Sequence, residues 1–260
     1  MRLWLSSRKR QTNIQPSAPK LNKELLTRIL DFSRSVEVLR LPAKMTIDLI
    51  SQNGAKAQRE KEGSTYYLLV YSDELPYEYM NAGYAAGQIL AYLCFLGIPA
   101  VLPNGIPTWA KEKNGQKCIT AVAFGSSLPS GRRLRQSSLE DVPCIYHDYR
   151  EHWSEEVLRY VKKRFPTSLR AVRAVHEEGR ICIVQKNTFA RKTALSEYEA
   201  GLAAARIMTA AEELWMDLTF AETNEAQCLI SVCRRTDSVK LNRRVPEKAG
   251  VGAKAVPLYS

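Results

Sequence analysis

The chain has 260 residues, 45% of them hydrophobic and 25% charged. This is the balance of a globular protein, and it excludes a disordered chain, a collagen-like fibre and a disulfide-stapled miniprotein. Thirty-eight Lys and Arg against 27 Asp and Glu leave a net charge of +11, a field that attracts phosphates without choosing among nucleic acid, lipid and small cofactors.

The most apolar stretch, residues 89–102, contains Gly97 and Pro99 and is shorter than the ~20 residues a spanning helix needs, so no membrane partner is expected. Six cysteines, Cys94, Cys118, Cys144, Cys182, Cys228 and Cys233, form no CxxC pair. Four of them sit in apolar runs, where a thiol behaves as a small hydrophobe. The apolar start of the chain is brief and runs into Arg8-Lys9-Arg10, which does not make a secretory signal. A reduced, cytoplasmic protein is the expectation.

Residues 1–20 carry five positive charges and no acid, with Pro16 and Pro19 in an extended connector. Leu21, Leu25, Leu26, Ile29 and Leu30 then fall at helical spacing. Residues 45–61 have no clear period. Residues 65–71, rich in aromatic and β-branched types, predict a strand. A helix apolar on nearly every face follows from about Pro76 to Leu96, as a core helix must be, and Gly97 suits its left-handed terminating position.

The turn Pro103-Asn104-Gly105 leads to a strand at 118–124, and residues 126–137 read as a loop. Ser154 is a candidate cap for a helix ending near Arg164. Residues 181–184 predict a strand. Ser196 and Glu199 have capping-box spacing at the start of a helix to about Trp215. A strand at 228–233 precedes a basic tail.

The two long helices resemble each other. At an offset of 118 residues, AGYAAGQILAYLCFL at 82–96 and AGLAAARIMTAAEEL at 200–214 share Ala82/Ala200, Gly83/Gly201, Ala85/Ala203, Ala86/Ala204, Ile89/Ile207 and Leu96/Leu214. Helix, strand, long helix and strand therefore occur twice. The small residues predict a close helix–helix approach. Two similar halves would imitate a homodimer within one chain, with a ligand cleft between them.

The usual catalytic constellations are missing. The histidines are His147, His152 and His176, and the first two are five residues apart, which does not give i,i+4 ligands; no metal site is expected. No GxSxG, P-loop, HExxH or strand-linked GxGxxG occurs. An enzyme with this sequence would rely on a cofactor. Basic clusters stand at Arg8-Lys9-Arg10, at Arg132-Arg133 with Arg135, and at Lys162-Lys163-Arg164. Each suits a solvated surface, and the second, just past a glycine-containing loop, also suits phosphate capture.

GYAAGQI at 83–89, LGIPAVLPNG at 96–105, ITAVAFGSS at 119–127, RRLRQSSLEDV at 132–142, PTSLR at 166–170 and EAGLAAA at 199–205 together resemble, in order and spacing, the nitroreductase family in its fused pseudo-dimeric branch. The resemblance implies an α+β, nitroreductase-like fold of two similar half-domains imitating the family homodimer. The first half would span 1–130, the second 131–240, and 241–260 would be the tail.

It further implies one site for flavin mononucleotide (FMN). Arg8, Lys9, Arg10, Arg132, Arg133 and Arg135 would serve the phosphate, Asn104 and Gly105 would lie near the ring, and Thr167, Ser168 and Arg170 would come from the second half. No residue is assigned as catalytic. The implied activity is electron transfer from NAD(P)H through flavin to a small-molecule acceptor such as a nitroaromatic or quinone. Fused halves could act as a monomer. The sequence departs from the family in carrying Arg170 where asparagine is expected, which keeps open a non-catalytic binding or scaffold protein with a degraded flavin site. Nucleic-acid binding through the +11 charge is a third reading, without a motif to support it.

Overall fold

The computed structural model describes residues 21–51, 65–125, 131–133, 152–165, 169–177, 179–186, 193–221 and 228–235, with 131–133 described in its backbone. These residues form a mixed α+β fold of four α-helices and two antiparallel sheets. None of the helices is long and apolar enough to cross a membrane.

Helix α1, Lys23–Arg34, starts where the Asn22 side chain accepts a hydrogen bond from the Leu25 amide at 2.8 Å, satisfying a donor the first turn leaves free. Its apolar stripe buries Ile29 against the first sheet and packs Leu25, Leu26 and Leu30 around it.

That sheet contains β1 (Met45–Ser51), β2 (Thr65–Ser72), β3 (Ala100–Pro103), β4 (Glu112–Lys113), β5 (Gln116–Gly125) and β6 (Gly131–Arg133). Its order is β1-β2-β5-β3-β6, with β4 hydrogen-bonded to β5. The strand β2 is buried along almost its whole length, with Leu68, Leu69 and Val70 at 0% exposure. Being covered on both faces removes the alternation that marks a half-exposed strand.

Helix α2, Glu78–Phe95, connects β2 to β3, and α3, Trp153–Arg164, precedes the second sheet. The latter comprises β7 (Val172–Glu177), β8 (Arg180–Gln185), β9 (Leu218–Ala221) and β10 (Cys228–Arg234), in the order β7-β8-β10-β9, with α4 (Ala194–Glu213) between β8 and β9. Both sheets follow one plan. A hairpin (β1-β2 or β7-β8) is followed by the long helix, then by a strand (β3 or β9), then by one that inserts between it and the hairpin (β5 or β10).

The long helices cross at their small residues. A β-carbon on Gly83 would stand 2.0 Å from the Tyr198 carbonyl oxygen, and one on Gly201 would stand 1.9 Å from that of Met80. Any side chain at either site would drive the backbones apart, so glycine is what sets the spacing of the two helices. The expected close approach is thus present.

Several local expectations need correction. Residues 45–51 are a strand, its weak period reflecting the mixed exposure of an edge position. Part of the expected 126–137 loop is β6, a three-residue pairing in which Arg132 lies opposite Leu102; so short a strand leaves no periodic signal. Ser154 is inside α3, whose N-cap is His152, and its hydroxyl bonds His176 Nδ1. The capping box of α4 uses Thr193 and Ser196, one turn ahead of the expected pair. Glu199 has another task, described below.

Candidate functional site

A crevice of about 400 Å³ lies between the first sheet and the start of α4. One wall is built by the end of β3 and the turn after it, where Pro103 removes a ladder donor and the chain turns at Asn104-Gly105. The floor comes from Ile119, Thr120 and Ala121 of β5. The opposite wall is Ala194, Leu195 and Tyr198 of α4, with Arg170 from the segment preceding β7 and Tyr79 from the first turn of α2. Elements from before and after residue 131 therefore complete one cavity.

Its polar groups are few. Thr120 Oγ1 and the Tyr198 hydroxyl share a hydrogen bond of 2.9 Å, tying β5 to α4 across the crevice. Lys117 Nζ donates to the Tyr79 hydroxyl at 3.4 Å and stands 5.9 Å from that ring's centre. The hydrogen bond to the Tyr79 hydroxyl, helped by the nearby Glu78 and Glu74 carboxylates, pushes the Lys117 pKa up. Arg170 is exposed and has no hydrogen bond or ion pair with the described residues.

The segment carrying Arg170 is held firmly. The Ala171 amide donates to Glu199 Oε2 at 2.7 Å, the Lys186 amide donates to the Ala171 carbonyl at 2.9 Å, and Lys186 Nζ donates to the Leu169 carbonyl. Glu199 itself has no exposed surface. Position 81, lying 118 residues earlier, does the same work for the segment entering the first sheet. Asn81 Oδ1 accepts from the Leu39 and Arg40 amides, each at 2.9 Å, and its Nδ2 donates to the Arg40 carbonyl at 2.8 Å. Each long helix thus uses one buried polar side chain to pin the segment entering its sheet. The sequence hid this role, because Glu199 also has the spacing of a cap.

Of the expected site residues, Asn104, Gly105 and Arg170 line this one crevice. Arg132 and Arg133 lie with their backbones paired to Leu102 and Val101 on β3, Leu102 being itself part of the wall. Arg8, Lys9, Arg10, Arg135, Thr167 and Ser168 lie outside the described residues. Tyr79, Thr120, Leu195 and Tyr198 were missed, because nothing in a local motif marks residues that meet only through tertiary packing. Among the described residues no group of His, Cys, Asp and Glu could hold a metal ion.

No family model matches the chain, and no curated protein matches it in sequence. Among solved structures, it is similar to a crystal structure described as a "putative nitroreductase" from Thermotoga maritima, at 13% identity and a TM-score of 0.46, over 82% of this chain and 86% of that one.

Proposed function

We propose that the chain is an FMN-dependent oxidoreductase, built from two duplicated halves, that moves electrons from NAD(P)H to a small organic acceptor. The observation that carries this reading is the meeting of Asn104-Gly105 and Arg170 across one crevice, from segments 65 residues apart in the chain. The matching strand orders of the two sheets and the 118-residue offset between Gly83 and Gly201 support the duplication. The boundary proposed at 130/131 leaves β6 reaching back onto the first sheet, as interlaced halves would.

The described residues fit a flavin ring. The cavity falls in the usual range for small-molecule sites, roughly 300–1,000 Å³, and Leu102, Ile106, Ile119 and Leu195 give it apolar sides. Asn104 offers both a donor and an acceptor, and Arg170 offers donors and a positive charge, which suits the heteroatom edge of such a ring. A β-carbon on Gly105 would meet no protein atom within 4 Å, so the backbone there can be approached closely.

When bound, flavin supplies the hydride-accepting and electron-delivering chemistry. The chain's own part is orientation and electrostatics. Asn104 would fix the ring edge, Arg170 would balance negative charge, and the Thr120–Tyr198 bond would hold the two walls at their spacing. Glu199 keeps Arg170 in place through Ala171. Arg132 and its neighbours would take the phosphate. Among the described residues the lining includes no carboxylate or histidine.

Titration of the purified chain with FMN, followed by flavin fluorescence, tests the reading. Saturable binding is expected, with Arg170→Ala weakening it by about tenfold. No saturable binding by the wild-type chain would end the proposal. The second reading, a binding or scaffold protein with a degraded site, is favoured by Arg170 itself, which cannot accept a hydrogen bond. Tighter flavin binding by Arg170→Asn would support that reading.

A further inference from the structure

A second cavity, of about 650 Å³, lies along the C-terminal halves of α2 and α4, at the opposite ends of these helices from the crevice described above. One side is the end of α1 with Ser35–Glu37, and the other is the Trp215–Leu218 segment. Gln88 of α2 holds the first side in place: its Nε2 donates to the Glu37 carbonyl at 2.9 Å, and its Oε1 accepts from the Glu37 amide at 3.3 Å.

The lining has two characters. Phe32, Val36, Met208 and Met216 give it apolar walls. Glu37, Glu212 and Asp217 make it locally acidic in a chain whose net charge is +11. Asp217 is matched by Arg235 at 3.3 Å. Burial pushes the Glu212 carboxyl up, and the first of the charges acting on it is the ammonium of residue 1, which draws it down, ahead of Glu37 and Glu213, which raise it.

Residues 1–20 have the complementary composition. They carry five positive charges and no acid, and Leu3-Trp4-Leu5 is an apolar run beside Arg2. They also have the reach. They join the described chain at Leu21, just ahead of α1. Helix α1 rises about 18 Å from there to the end that borders the cavity, whereas an extended segment of this length spans up to about 66 Å.

We propose that residues 1–5 dock into this cavity within their own chain, Leu3, Trp4 and Leu5 packing against Phe32, Met208 and Met216 while the positive charges of residues 1 and 2 face Glu212 and Glu37. Burial of the apolar run drives the docking. The charges fix its direction, since an acidic or neutral segment would leave the partly buried Glu212 without a counter-charge. The assignment is independent of the flavin reading, which uses the other ends of the two long helices.

Zero-length carbodiimide coupling of the full chain, followed by peptide mapping, tests it. The reagent joins a carboxylate to an amine only where the two touch. The Lys44–Asp73 pair, at 2.8 Å, is the internal control. A link from Glu212 or Glu37 to the amine of residue 1 is expected, within one chain when isotopically labelled and unlabelled protein are mixed. Trp4→Ala keeps both reacting groups and should cut the yield of that link several-fold, whereas Trp4→Phe, which keeps an apolar ring, should retain most of it; neither should alter the control. The proposal is overturned if the control forms and the link does not, if the link joins labelled to unlabelled chains, or if Trp4→Ala leaves its yield unchanged.

Discussion

Gly87 of α2 and Ala205 of α4 face each other at the helix crossing: a β-carbon on Gly87 would stand 2.3 Å from the Ala205 Cβ. These positions are separated by 118 residues, as are Gly83 and Gly201, and as are Met80 and Tyr198, whose carbonyls those glycines approach. The contacts therefore repeat with the roles of the helices exchanged, the pattern of an isologous interface, in which a residue near the axis meets its own counterpart. At that point there is room for one methyl group and not for two.

This relationship predicts a coupled pair. Gly87→Ala should destabilise the chain by about 1–3 kcal/mol through overpacking. Ala205→Gly alone should cost about 1 kcal/mol as a helix-interior glycine. The double variant should recover most of the first loss, giving a coupling energy above about 1 kcal/mol in urea unfolding. Additive losses would show that the two positions do not share a methyl-sized space.

The helix termini show a second exchange. Gly97 ends α2 with φ 72, and Trp215, again 118 residues on, ends α4 with φ 58. Equivalent hydrogen bonds close both ends: Ile98 N to Leu93 O at 2.9 Å, and Met216 N to Ala211 O at 2.8 Å. A β-carbon in this left-handed region is strained, and glycine is free of that strain. Trp215→Gly should therefore raise stability by about 1 kcal/mol, the exposed indole losing little packing. A fall in thermal midpoint would mean that the indole contributes more contact than its exposure suggests.

Much of this fold was legible in the chain. Burial on every side made β2 and α2 plain, and Gly97 marked the end of its helix through its backbone freedom alone. The small residues of α2 and α4 announced a close approach before any partner was known. What could not be read were features whose meaning is only tertiary. The β6 strand exists because β3 offers it an edge. Glu199 is a pin for Ala171, not a cap, because the chain folds back to meet it. Of the crevice, Asn104, Gly105 and Arg170 were found through ordered motifs, whereas Tyr79 and Tyr198 come to it from helix turns that look like ordinary core.

Glu199 should be sensitive to truncation. Removing the carboxylate that accepts from the Ala171 amide leaves a buried donor without a partner, which costs about 1–3 kcal/mol. Glu199→Ala should lower stability by that amount and speed hydrogen exchange at the Ala171 amide, while Glu199→Gln, which keeps an acceptor oxygen, should lose less. Equal losses in the two variants, with exchange at Ala171 unaltered, would count against the pinning role.

The cysteines should sort by burial and charge. Burial pushes the Cys118 thiol up to about 11. Cys182 is pushed up further, by burial first and then by donating its proton to Glu177 Oε2 at 3.0 Å. That same bond is the first cause holding Glu177 below the usual carboxylate range. Since the thiolate is the reactive form, a thiol with a pKa near 11 is roughly one part in 1,000 ionised at pH 8. Cys94 is only half-buried and accepts from Arg164 Nη2 at 3.4 Å. Iodoacetamide at pH 8 should therefore label Cys94 first among the described cysteines, and Cys118 and Cys182 only after unfolding. Raising the pH from 8 to 9 on the folded chain increases the thiolate fraction of Cys118 about tenfold, but from so small a base that Cys94 should still lead. Peptide mapping that finds Cys118 or Cys182 modified as fast as Cys94 in the folded chain would contradict the packing around β5 and β8.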